Sequence, residues 1–179
     1  METITNYKIK DFQKLPKELQ VEYASLLLLT TPIQTNQKLI EMKLKEVEEI
    51  KTFFTNNSDE ELIKIMAMVQ KVKIGDINNM GIITFFGIYN SIKLQFENLI
   101  KSEENLAPNY VNPKWEQVEG GIRMVKFGIY NTLEDLSGGD ILKWPQIMEM
   151  EYQEVFTKLM INKVKGDLIY EMDRIKSKN

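Results

Sequence analysis

An all-α bundle of about six helices, with an extended loop region in its second half, is the fold this sequence predicts. Three observations carry the prediction. Apolar residues recur at three- and four-residue steps over long stretches. Those stretches open and close on helix-start and helix-stop residues. The composition, 43% apolar and 27% charged, is that of a chain with a real core. At 179 residues the chain fits one domain, 1–179, with a loop or hinge at 102–114.

The elements follow in order. Leu15-Pro16 opens the first helix, with Pro in a first-turn position where its missing N–H is harmless. Leu19, Tyr23, Leu26 and Leu27 give it an apolar face before Thr31-Pro32 stops it. Thr35 is expected to cap a longer helix to about Phe54, with Leu39, Leu44, Val47, Ile50 and Phe54 inward and Glu41, Lys45, Glu48 and Glu49 outward. Ser58-Asp59-Glu60-Glu61 has the form of a capping box and starts a third helix to about Val72.

Ile74 to Met80 reads as a loop. Gly81 to Tyr89 has strand composition, yet Phe85, Ile88, Ile92, Phe96 and Leu99 keep a helical period, which favours a buried helix from about Asn79 to Lys101. Pro108 and Pro113 sit in the longest loop. A helix from Pro113 to about Phe127 is weakened by Gly120-Gly121, and a short turn from Thr132 ends at Ser137-Gly138-Gly139. Pro145 begins another turn. The last helix, about Glu149 to Lys176, is expected to turn Tyr152, Val155, Phe156, Leu159, Val164, Leu168, Met172 and Ile175 inward, with Gly166 a weak point.

Composition excludes much chemistry. With no cysteine and no histidine, disulfides, Cys or His metal sites, thiol nucleophiles and histidine relays are all ruled out. No cofactor or metal is expected, and no catalytic residue stands out, because the adjacent acids Glu48/Glu49, Glu103/Glu104 and Glu134/Asp135 read as solvated helix surface. The net charge is −3 and no block of like charge stands out. Arg123 and Arg174 are the only arginines, so the bidentate fork that reads guanine is scarce and sequence-specific nucleic-acid binding is not expected. No apolar run is long enough for a bilayer, and Met1 to Lys8 does not open like a secretory signal, so a cytoplasmic setting is expected.

Three motifs have bland readings. Asp76-Ile-Asn-Asn-Met80-Gly81 begins like a calcium loop but has Met at the fifth position and Gly87 at the twelfth, so a turn is expected. Leu136-Ser-Gly-Gly-Asp140 looks like an ABC ATPase signature loop. Without a phosphate-binding Gly-x4-Gly-Lys-Ser/Thr loop it reads instead as a glycine helix stop followed by an Asp cap. Phe86-Gly-Ile-Tyr-Asn90 recurs as Phe127-Gly-Ile-Tyr-Asn131, either a duplicated hairpin or chance in an Ile- and Asn-rich chain.

Trp115 and Trp144, with Tyr110, Tyr130 and Tyr152, fall in the loop-rich second half, and ten methionines suit adaptable contact surfaces. Tyr110, Trp115, Trp144, Tyr152 and Phe156 are the candidate interface residues.

The run Leu136-Ser-Gly-Gly-Asp-Ile-Leu-Lys-Trp-Pro-Gln-Ile-Met-Glu-Met-Glu-Tyr-Gln-Glu-Val-Phe-Thr-Lys-Leu159 resembles small helical proteins of tailed bacteriophages, crAss-like phages among them. The opening Asp11-Phe-Gln-Lys-Leu-Pro-Lys-Glu-Leu-Gln-Val-Glu-Tyr23 adds to it. The likeness includes no catalytic motif. It implies a non-enzymatic virion structural protein at the portal vertex, either a head–tail connector ring or adaptor or a packaged cargo protein. Such a protein is assembled in the host cytoplasm, self-associates, and contacts the portal or other virion proteins. The alternative it implies is a tail assembly chaperone that holds the tape-measure protein.

Overall fold

The structure is a computed structural model that describes residues 6–56 and 59–176. Among the described residues it is all α-helical, with eleven α-helices and no strand. They are α1 (Ile9–Phe12), α2 (Lys17–Leu27), α3 (Leu44–Asn56), α4 (Asp59–Gln70), α5 (Ile74–Asn78), α6 (Ile82–Glu103), α7 (Pro113–Gln117), α8 (Gly120–Val125), α9 (Ile129–Ser137), α10 (Trp144–Met148) and α11 (Tyr152–Lys176). The count exceeds six because α1, α5, α7, α8 and α10 are single turns or little more, too short to show a period. No described helix is long and apolar enough to cross a membrane. The capping box placed at Ser58 lies outside the described residues.

Backbone contacts divide the chain into two compact units, where the sequence suggests one domain. Unit 1 is Met1–Leu39 with Glu49–Asn98, and unit 2 is Ile40–Glu48 with Leu99–Asn179. Both α3 and α6 give residues to each unit.

Within unit 1, Lys8 pairs antiparallel with Gly81. The Ile9 N–H donates to the Met80 carbonyl at 3.1 Å and the Ile82 N–H to the Tyr7 carbonyl at 2.8 Å. Ile9 and Ile82 are the first residues of α1 and α6, so each bond satisfies an N–H that has no partner inside its own helix. Unit 2 holds the same device. Lys43 pairs with Glu151, the Leu44 N–H donates to Met150 at 2.9 Å, and the Tyr152 N–H donates to Met42 at 2.8 Å. Leu44 and Tyr152 open α3 and α11.

The sequences around the two bridges match. Lys8-Ile-Lys-Asp-Phe12 corresponds to Lys43-Leu-Lys-Glu-Val47, and Ile77-x-x-Met80-x-Ile82 corresponds to Ile147-x-x-Met150-x-Tyr152. In each unit a helix ends on a left-handed residue, Lys71 (φ 54°) after α4 and Gly138 (φ 65°) after α9. A one-turn helix follows, then the long helix. The internal repeat of this chain is therefore the bridge and the helices it joins.

The Phe-Gly-Ile-Tyr-Asn echo is not that repeat. Residues 86–90 lie inside α6, whereas 127–131 cross a break between α8 and α9 at Gly128, where φ is +49°. The two glycines do different jobs. A Cβ on Gly87 would meet Ile33 Cδ1 at 2.6 Å and the Thr31 carbonyl oxygen at 3.1 Å, so its absence lets residues 31–33 lie against α6. There the Ile33 N–H donates to Gly87 at 2.9 Å. The asparagines do share a role: Asn90 donates to the Thr30 carbonyl at 2.8 Å and Asn131 to Met124 at 2.9 Å, each near a helix C-terminus.

The expected helix from Thr35 begins nine residues late, at Leu44. Thr35 is buried and accepts a bond from Gln95, while the Leu39 N–H donates to the Gln95 side chain at 3.0 Å. Those bonds and the carbonyl of Met42, committed to Tyr152, hold 35–43 out of the helix. From Leu44 onward the expected stripe is present, with Leu44, Val47, Ile50 and Phe53 all buried. Residues 74–78, expected as loop, are α5, and the Asp76 carboxylate accepts from the Lys73 N–H at its start at 3.1 Å. Residues 82–89 open α6, so the helical period outweighs strand composition there. Gly138 and Asp140 act as the expected stop and cap, with the Leu142 N–H donating to Asp140 at 3.1 Å.

Gly87→Ala should destabilise by about 1–3 kcal/mol through overpacking against Ile33. Gly75→Ala, with nothing near its Cβ, should be neutral or stabilising by up to about 1 kcal/mol. Urea unfolding of the two variants checks the contrast.

Candidate protein-binding surfaces

Unit 2 carries an exposed apolar segment after α6. Residues 107–112 are tied to α11 by polar bonds. Asn109 donates from its backbone N–H to Asp167 at 3.1 Å and from its side chain at 2.9 Å, and Lys163 pairs with the same carboxylate at 2.9 Å. Tyr110 stacks on Tyr170, with ring centroids 3.3 Å apart. The Lys163 ammonium, and then the Asn109 N–H, hold the Asp167 carboxyl below its ordinary range.

Asn112 and Pro113 then start α7, the Asn112 side chain accepting from the Lys114 N–H at 3.0 Å. Gly120-Gly121, expected only to weaken one helix, accompanies a full break: Glu119 takes a left-handed φ of 55° and α8 begins after it. The Trp115 ring lies where a Gly120 side chain would be. From 111 to 128 only Gly120 is buried. Val111, Trp115, Val118, Ile122, Val125 and Phe127 are exposed along it, and Tyr110, Val111, Trp115 and Ile122 line an open cleft of about 630 Å³.

The five candidate interface residues all fall in unit 2, in separate places. Tyr110 and Trp115 line the cleft just described. Trp144 is half-buried, donating from its indole N–H to Ser137 at 3.2 Å, with its ring 5.4 Å from that of Tyr130. Tyr152 is 4% exposed, so it has almost no surface to offer a partner, and half-buried Phe156 lies against it. Tyr152 is a core residue because it opens α11 at the bridge and its hydroxyl donates to Glu103 at 2.5 Å. Burial, then the Glu103 carboxylate, pushes the phenol far above its ordinary range and keeps its proton in that bond. Beside the bridge, Glu149 accepts from Lys43 at 2.7 Å and also from Lys45, which lowers its carboxyl and raises the Lys43 ammonium.

Unit 1 has a groove of about 530 Å³ lined by Phe12, Val21, Leu28, Phe53, Phe86 and Tyr89, with Lys17 also on its lining. Burial raises the Tyr89 phenol. Sequence reasoning did not single out this groove. Its aromatic residues come from three separate helices, α1, α3 and α6, so no local pattern in the sequence marks it.

Among the described residues no three acids gather as a metal site. Comparison with family models, curated proteins and solved structures finds no match.

Because Asp167 is held below its ordinary range, its bonds are complete above the unfolded carboxylate pKa of about 4 and are lost as pH falls through the lowered value. Near-UV circular dichroism from the Tyr110–Tyr170 stack should therefore persist to below about pH 4 and then collapse. Asp167→Asn should weaken the signal already at neutral pH. Tyr152→Phe should lower the urea-unfolding free energy by about 1.5–3 kcal/mol, because it removes a buried bond to a carboxylate.

Proposed function

We propose that the chain is a non-enzymatic structural protein of a tailed-phage particle at the portal vertex, as a head–tail connector ring, an adaptor or packaged cargo, working through protein contacts. The observation that carries the protein-binding part is the exposed apolar segment of unit 2. A segment of about eighteen residues with one buried position, and with a tryptophan, a phenylalanine and branched aliphatics in the open, has the composition of a contact surface awaiting a partner. The placement in a phage particle rests on the resemblance of 136–159 and 11–23. A ring or adaptor needs lateral contacts between its own copies as well as a docking face for the portal, and unit 2 has apolar surface available for such contacts.

The unit 1 groove favours a second reading. A tail assembly chaperone holds an apolar stretch of the tape-measure protein and leaves before the particle is complete. An open groove lined by five aromatic rings suits that task.

Quantitative mass spectrometry of purified particles, with the portal protein as internal standard, separates the readings. About one copy per portal subunit is the expected result for a ring or adaptor, and a higher ratio points to cargo. Absence from the particle contradicts the structural reading and favours the chaperone. Trp115→Asp with Ile122→Asp should leave the fold intact, since both residues are exposed, and should abolish incorporation.

A further inference from the structure

We propose that the open cleft of unit 2 receives an arginine side chain that a partner protein presents between apolar residues. The inference rests on reading unit 2 as protein-binding and names the chemistry of what it binds.

The cleft is aromatic, apolar and acidic, with no basic group on its lining. Tyr110, Val111, Trp115 and Ile122 supply the apolar part, and Glu116 and Glu119 are its only charged residues. Its volume of about 630 Å³ falls among sites that hold small ligands, about 300–1,000 Å³. The two glutamates share one turn, the Glu119 N–H donating to the Glu116 carbonyl at 2.9 Å. Glu119 holds its place there with a left-handed φ of 55°, which few residues other than glycine adopt. Neither carboxylate has an ion pair among the described residues. The segment's own cations are placed elsewhere: Lys126 lies over the Phe127 ring, 5.1 Å from its centroid, and Lys114 and Arg123 are not on the lining.

The aromatic wall is fixed from behind. A Cβ on Gly120 would run into Trp115 Cδ2 and Cε2, the bond shared by the two rings of the indole, so a face of the ring lies on the Gly120 backbone. Trp115 is nevertheless 48% exposed, and what it exposes is the opposite face with its rim. Tyr110 gives one face to Tyr170 and is held there by the Asn109–Asp167 bonds. That anchoring uses Lys163, Asp167 and Tyr170 of α11. Val164, Leu168, Met172 and Ile175, which the periodicity turns inward, lie on another face of the helix and are exposed.

These features select the occupant. A neutral apolar segment would take two carboxylates from water with nothing to pair them, and an acidic one would be repelled. Two carboxylates are too few to hold a metal ion, and the described residues gather no third acid beside them. An arginine answers both parts of the lining, because its planar guanidinium stacks on an indole face while its fork of donors reaches carboxylates. A lysine ammonium is more strongly hydrated and cannot stack in this way. Val111 and Ile122 suit apolar residues on either side of the arginine.

The probe is the peptide acetyl-Ala-Leu-Arg-Leu-Ala-amide, titrated into the full chain and followed by the indole N–H signals in two-dimensional NMR. The Trp115 signal should move, while that of Trp144, bonded to Ser137, should stay in place. Replacing arginine by citrulline, its neutral isostere, should weaken binding about tenfold. Glu116→Gln with Glu119→Gln should weaken it about fivefold or more, with unchanged far-UV circular dichroism, since both residues are exposed. Three results would overturn the proposal: a Trp115 signal that does not respond to the arginine peptide, a citrulline peptide that binds as well, or wild-type binding by the double glutamine variant. Sedimentation equilibrium adds a fourth: self-association abolished by the same double variant would make the occupant a second copy of the chain. Particle incorporation separates this inference from the reading it rests on. Incorporation that survives E116Q/E119Q but not W115D/I122D would keep unit 2 as the binding surface and contradict the arginine alone.

Discussion

Each helix start in this chain leaves N–H groups that its own helix cannot satisfy, and in both units the same solution recurs. Two helices face each other at their first residues, and each donates a first-turn N–H to a carbonyl just before the other. Ile9 with Ile82, and Leu44 with Tyr152, form these reciprocal pairs. A net contribution of about 0.5–1.5 kcal/mol per bond understates their importance, because each donor N–H belongs to a buried residue, where an unmade bond would leave a polar group short of a partner. Ile9, Ile82, Leu44 and Tyr152 are all buried. In unit 2 the device is reinforced by Glu149 bound to Lys43 and Lys45. In unit 1 the aligned position is Asn79, whose side chain turns back to the Gly75 carbonyl.

Much of the helical content was legible because it follows from periodicity. The stripe Leu44, Val47, Ile50, the start of α2 after Pro16, the length of α6 and the cap at Asp140 all follow from local rules that the tertiary structure leaves alone. What failed did so for a common reason. The bridges are non-local, joining residues 7–9 to 80–82 and 42–44 to 150–152, so nothing near Thr35 reveals that Met42 and Lys43 are needed outside the helix as bridge partners. The true repeat was missed for the same reason, since Lys-x-Lys-acid and Ile-x-x-Met are too brief to notice until hydrogen bonds bring them together. The exact echo of five residues drew attention instead, and its two copies occupy different backbone conformations.

The proposed binding surface was legible only in outline. Aromatics in the second half pointed to unit 2, and Tyr110 and Trp115 do line its open cleft. Tyr152 shows the limit of composition as a guide, since the features that suit an aromatic to an interface also suit it to a core. The outer half of α11 shows the converse: an apolar period predicts an inward face, and only packing reveals that loop 107–112 takes the opposite side. The function we propose uses these surfaces rather than any reactive group, in keeping with a chain that has neither cysteine nor histidine.

The account's central claim is that reciprocal bridges hold both units closed while residues 111–128 stand open for a partner. Residue-resolved amide hydrogen exchange under native conditions tests it most directly. The amides of Ile9, Ile82, Leu44 and Tyr152 should be among the slowest in the chain, exchanging only with opening of their unit, while exposed, unbonded amides in 107–119 exchange fastest. Bridge amides that exchange as fast as those of 107–112 would contradict the account.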